Sequence, residues 1–187
     1  MRFLVTGLNH TTAPVELRER LAIGCDVLPE TTRALLAEPG VKEAMILSTC
    51  NRVELLVSHN GLEPQLPGFL AEHFALDRSV LEPHLYRYQD EEAVRHMFRV
   101  AASLDSMVVG EAQILGQVKH SWTVARELGA VKGPLDKLLQ GAFSAAKRVR
   151  TETEIGSSSV SIASVAVDLA RRIFGLRWSA RWRTLSR

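Results

Sequence analysis

A chain of 187 residues, 46% of them hydrophobic, has enough apolar sequence to bury a core without disulfide or metal staples. Its 23 basic and 21 acidic side chains leave a net charge of +2, which argues against a protein that holds nucleic acid mainly by neutralising phosphates, though not against a nucleic-acid partner gripped locally. Cys25 and Cys50 are too few for a disulfide framework, and no apolar run reaches the roughly 18 residues of a membrane span or resembles a secretion signal. The default expectation is a reduced, cytoplasmic protein without a membrane partner.

In chain order, Phe3–Leu8 reads as a short buried strand, and the polar run 9–13 before Pro14 as a loop. Leu17, Leu21 and Ala22 predict a helix over 15–23; a second follows over 29–37 and is stopped by Pro39-Gly40. Strands are expected at 44–47 and 53–57, joined by Ser48-Thr49-Cys50-Asn51-Arg52, a polar connection at a sheet end where reactive groups stand clear of the core. One more helix over 65–74 and one more strand within 81–88 complete this half. From Glu91 onward helical spacing dominates, with helices predicted over 111–128, 134–153 and 157–174. The expected fold class is α+β: a small, mainly antiparallel sheet with helices, followed by a helical segment.

Cys50 is the leading chemical candidate, because a thiolate is the reactive form and Arg52 lies two residues away. Cys25, preceded by Ala22-Ile23-Gly24, has no such setting. The Arg52 guanidinium could fork onto a substrate carboxylate or form a surface ion pair with Glu54. On a helix, His96 shares the polar face with Arg99, Ser103 and Ser106; it is either solvated or a general acid or base. A rise of about 1.5 Å per residue would separate His96 and Ser106 by roughly 15 Å on one straight helix. A common ligand therefore requires the helix to end near Ser103, with Asp105-Ser106 supplying a break. Gly110 permits close backbone approach, and Glu111, Gln113 and Gln117 cluster at the start of the next helix. No metal-ligand spacing and no dinucleotide fingerprint occurs, and Lys147-Arg148-Val149-Arg150 reads as a solvated helix face.

Three segments jointly resemble one family. They are Gly7-Leu8-Asn9-His10-Thr11-Thr12-Ala13-Pro14-Val15, Ser48-Thr49-Cys50-Asn51-Arg52-Val53-Glu54, and the stretch from His96 through Leu104-Asp105-Ser106 and Gly110-Glu111 to Gln117-Val118-Lys119. The chain is similar to glutamyl-tRNA reductase, the first committed enzyme of five-carbon tetrapyrrole synthesis, in its N-terminal catalytic domain. The resemblance implies that the Cys50 thiolate attacks the ester of glutamyl-tRNA to form a thioester, which NADPH reduces to glutamate-1-semialdehyde. It implies Arg52 as partner of the glutamate carboxylate, and His96 as the group that protonates the leaving ribose oxygen or orders water. Thr49, Asn51, Ser106, Glu111, Ala112, Gln113 and Gln117 match positions lining the family's substrate pocket, Ala112 through backbone only.

By the same resemblance, residues 1–156 form the catalytic domain, 157–175 a helix leading toward a nicotinamide-binding domain, and 176–187 an atypical tail with four arginines and two tryptophans. The complete family enzyme is implied to bind NADPH, to dimerise through a C-terminal domain, and to hand its product to glutamate-1-semialdehyde aminomutase. Neither of those later domains is expected in this chain, which reads as truncated or frame-shifted after Gly175. The alternatives are a fragment that hydrolyses glutamyl-tRNA through the cysteine, and one that only binds it.

Overall fold

The computed structural model describes residues 1–156 and 162–174. Its centre is a four-stranded sheet built from β1 (Arg2–Asn9), β2 (Val41–Ser48), β3 (Arg52–His59) and β4 (Tyr86–Gln89), in the order β2-β3-β1-β4. Every pairing is antiparallel, and the registers set Gly7 opposite both Glu54 and Tyr86. The two interior strands follow from their sequences: β3 is buried along its whole length and β1 from Leu4 onward.

Because side chains alternate across a strand, the sheet has two apolar faces. On one face Leu4, Leu8, Ile46, Leu55 and Val57 pack with α1 (Val15–Leu21), α2 (Leu28–Ala37), α3 (Leu66–His73) and the short α4 (Arg78–Leu81). On the other, Val5, Met45, Leu47 and Leu56 meet α5 (Asp90–Ala101), α6 (Gln113–Glu127) and α7 (Pro134–Glu152). The helical second half is therefore the third layer of a helix–sheet–helix stack rather than an appendage to it. At the sheet's β2 edge, Ala44 N–H donates to the carbonyl of Ala130 at 2.9 Å, so part of that edge is covered.

Three expectations need correction. The strand placed within 81–88 starts only at Tyr86, since Glu82–His84 is a 3₁₀ turn containing Pro83, which cannot donate to a ladder. The helix expected from Glu111 starts at Gln113, because the Glu111 carbonyl is engaged by Ser103 Oγ and Arg150 instead of a following helical N–H. His96 does not lie on a solvated face: α5 buries His96 beside Ala93, Met97 and Val100, while Arg99 is exposed. A fourth helix of the second half, α8, spans Ile162–Phe174; the expected start at Ser157 and the atypical tail expected at 176–187 lie outside the described residues.

Helix α5 ends at Ala101, and Ser103 takes φ +63°, a left-handed conformation that stops the helix and turns the chain back. The break that a shared ligand demands is thus present, two residues earlier than Asp105-Ser106.

Candidate active site

Strands β2 and β3 form a hairpin whose tip is Cys50-Asn51. Thr49 N–H donates to Arg52 O at 2.8 Å, closing the turn. The return bond is different: Thr49 Oγ1 accepts from both Asn51 N–H and Arg52 N–H, each at 3.1 Å. Two outside groups fix the tip. His10 N–H donates to Asn51 O at 2.9 Å, and Arg18 Nη1 donates to Cys50 O at 2.8 Å and to Asn51 Oδ1 at 3.3 Å. Cys50 itself is exposed, on a backbone held from four directions.

The hairpin tip opens onto a cleft. Thr49, Cys50, Asn51 and Arg52 form one side; Ser106, Met107 and Glu111, from the loop after α5, face them; Gln113, Ile114 and Gln117 of α6 close the floor. Every predicted site residue except His96 and Ala112 lines this space. Ala112 is exposed at the N-cap of α6 without lining the cleft. Gln113 and Gln117 also wall a second, larger cleft of about 420 Å³, lined further by Ile23, Cys25, Leu28, Ser48 and His120. Cys25, without a setting in the sequence, thus borders a cavity that shares Gln113 and Gln117 with the first.

Behind the tip lies a buried charge cluster. Glu54, 1% exposed, accepts at one oxygen from Arg52 Nη1 at 2.6 Å, Tyr86 Oη at 2.5 Å and His96 Nε2 at 2.9 Å. Arg52, 2% exposed, also donates to the Asp105 carbonyl and carboxylate. The two readings of Arg52 resolve into a third arrangement: the ion pair with Glu54 forms, but inside the protein and shared with Asp105 rather than on the surface. Burial alone would push the Glu54 carboxyl up. The hydrogen bond and electrostatic pull of His96, the Arg52 charge and the Tyr86 hydroxyl outweigh it and hold the group down at about 2. Glu54 is therefore a carboxylate at neutral pH, so in the bond to His96 it is Nε2–H that donates. The His96 ring packs against Tyr88 and Tyr86, with centroids 4.7 and 5.5 Å apart. Burial and Glu54 raise the Tyr86 phenol far above its ordinary value, which keeps its hydroxyl a donor.

Gly7 makes this cluster possible. It lies on β1 between Glu54 of β3 and Tyr86 of β4, and a Cβ there would fall 2.5 Å from Val53 O and 2.9 Å from Glu54 Cγ. Only a residue without a side chain lets the carboxylate cross the intervening strand to reach Tyr86.

His10 is a further neighbour that residue chemistry alone had not singled out. Burial, then the charges of Arg52 and Arg18, lower its pKa, and its Nδ1 is buried without a partner. Its signal in the sequence was only its place in the first motif. Among the described residues no group of three or more His, Cys, Asp or Glu side chains converges as a metal site would, and no helix is long and apolar enough to cross a membrane.

Comparison with known proteins gives one consistent result. The family described as "Glutamyl-tRNAGlu reductase, N-terminal domain" matches residues 6–153. Glutamyl-tRNA reductase 2 of Koribacter versatilis is 58% identical over 175 residues, covering 94% of this chain and 40% of that protein. The glutamyl-tRNA reductase of Solibacter usitatus is 52% identical over 178 residues, with 94% and 42% covered. Among solved structures, glutamyl-tRNA reductase from Methanopyrus kandleri superposes with a TM-score of 0.71 at 34% identity, covering 91% of this chain and 39% of that one. The chain spans about two fifths of the length of these relatives.

Proposed function

Since the chain belongs to the glutamyl-tRNA reductase family through that family's N-terminal domain, we propose that residues 1–156 are its catalytic domain and carry out the acyl-transfer half of the reaction. The observation that carries this reading is an exposed Cys50 on an immobilised hairpin tip facing a cleft lined by Ser106, Glu111, Gln113 and Gln117. The Cys50 thiolate attacks the ester carbonyl of glutamyl-tRNA, an S–C bond forms, the C–O bond to ribose breaks, and the ribose oxygen leaves with a proton. Polar groups around the cleft suit the amino and carboxylate groups of the glutamyl moiety. Arg52 acts from behind the tip: its charge, fixed between Glu54 and Asp105, favours an anion in the cleft even though its donors are engaged internally. His96, tied to Glu54, orients that cluster.

NADPH reduction of the thioester to glutamate-1-semialdehyde, toward tetrapyrroles in the cytoplasm, belongs on this reading to the complete enzyme, together with dimerisation and hand-over to an aminomutase. The described residues do not fit the cofactor. Their sheet is wholly antiparallel, and no parallel strand–turn–helix unit opens on a glycine-rich turn. The chain alone is expected to accept glutamate on Cys50 and to release it slowly to water.

The test uses glutamyl-tRNA labelled in the glutamate. A denaturation-resistant, hydroxylamine-labile label should map to the peptide bearing Cys50 and vanish in Cys50→Ser, whose alcohol is the poorer nucleophile. Label on a peptide without Cys50, or intact ester after prolonged incubation, would overturn the reading.

A further inference from the structure

Within the basic run 147–150, Lys147 and Arg148 are exposed as the sequence predicts, but Arg150 turns inward. Its Nη2 donates to Glu111 O at 2.8 Å and lies 3.4 Å from Ser103 Oγ, which itself donates to Glu111 O at 2.7 Å. Gly110 N–H donates to Ser103 O at 3.0 Å. Residues 103 and 110–111 are thus the neck of a compact loop, closed by backbone and clasped by one guanidinium. The neck also sits directly on the 3₁₀ turn after α7: Gly110 has φ +86°, and a Cβ on it would lie 2.7 Å from Ile155 O. Arg150 Nε is buried without a partner. Withdrawing that donor from water is unfavourable, so the guanidinium stays in place only because its other contacts hold it.

The loop closed by this neck supplies Ser106 and Met107, and the neck supplies Glu111, to the wall opposite Cys50. Arg150 itself does not line the cleft. We propose that Arg150 is a positioning residue: it clasps the neck of the 103–111 loop, fixes the wall that the acyl group meets, and ties that wall to the end of α7. The consequence for catalysis rests on the acyl-transfer reading; the clasp does not.

Two measurements on the full chain separate them. In the free protein, Arg150→Gln should speed hydrogen exchange at amides 104–111 on the order of tenfold, as expected for losing a charge-assisted bond, and leave the sheet amides unchanged. Arg150→Lys keeps the charge and one donor, and should recover part of that protection. In the acylation assay, Arg150→Gln should raise the glutamyl-tRNA concentration for half-maximal rate about tenfold, with the maximal rate and Cys50 alkylation by iodoacetamide within about twofold, since a loosened wall weakens binding equally in the ground and transition states. Unchanged exchange at 104–111, or faster exchange spread across the whole sheet, overturns the clasp. If Arg150→Gln does not fold, the exchange pattern of Arg150→Lys decides in the same way. If the wild-type chain is never acylated, the proposed function falls and the exchange result still decides the clasp.

Discussion

At the scale of single residues, the site divides into an exposed nucleophile and a buried frame. Cys50 is exposed and its side chain has no part in the Glu54 cluster, so Cys50→Ser should leave stability within about 0.5 kcal/mol of wild type while abolishing the thioester. Glu54 is the opposite case. It accepts three hydrogen bonds at one oxygen and balances a guanidinium that is 2% exposed. Glu54→Gln leaves Arg52 buried with only Asp105 opposite it, and breaking a buried pair costs about 3–5 kcal/mol. Urea denaturation should show a lower midpoint at unchanged slope. A midpoint equal to wild type would mean that Asp105 alone satisfies the guanidinium.

At the scale of elements, α7 shows how a helix can be started from a distance. Its N-cap, Gly133, offers no side chain, and Pro134 only pre-sets the first turn. The missing acceptor comes from the sheet: Glu43, 3% exposed on β2, takes Lys132 N–H at 3.0 Å and Gly133 N–H at 2.6 Å on one oxygen, and Leu135 N–H and Ser58 Oγ, both at 3.0 Å, on the other. A carboxylate on free N–H groups at a helix start also meets the favourable end of the helix dipole. Glu43→Ala should therefore cost about 2–4 kcal/mol, more than an ordinary cap, because three N–H groups, that of Leu135 buried and those of Lys132 and Gly133 half-buried, lose their partner. Glu43→Gln should cost less, since it still accepts. Urea titration of the two variants gives the order; equal losses would show that charge alone matters. None of this could be read locally, since the predicted strand began at Ala44 and left Glu43 outside it. Cysteine in a polar turn between apolar strands was legible, because it depends on neighbours in sequence; Gly110 was legible as a residue that permits close approach, but the Ile155 carbonyl it approaches lies far along the chain and was not. The face of α5 was not. Helical spacing put His96 with the polar residues, and only the far-off Glu54, Tyr86 and Tyr88 make a buried histidine favourable there.

At the scale of the whole molecule, the sheet order β2-β3-β1-β4 brings residues 7, 54, 86 and 96 into one cluster, and that cluster, together with His10, sets the response to acid. His10 is held below its ordinary 6.5 by burial and the nearby Arg52 and Arg18 charges, so just below that pH the unfolded chain binds more protons than the folded one. Stability then falls as pH falls. Glu54 follows at lower pH. Its contribution is complete above the unfolded value of 4.5 and is lost as pH drops toward the folded value of about 2, a span equivalent to about 3 kcal/mol. Asp90, bonded to Arg2, and Asp77, bonded to Ser79, are lowered too and act in the same direction, but both are exposed to screening solvent. Urea midpoints measured from pH 7.5 to 3 should decline in two limbs. His10→Asn should flatten the one just below 6.5, and Glu54→Gln, already weaker at pH 7.5, should flatten the one below 4.5. A Glu54→Gln curve that keeps the full acid limb would place the responsible carboxylates elsewhere, and would remove Glu54 as the group that holds Arg52 and His96 behind the nucleophile.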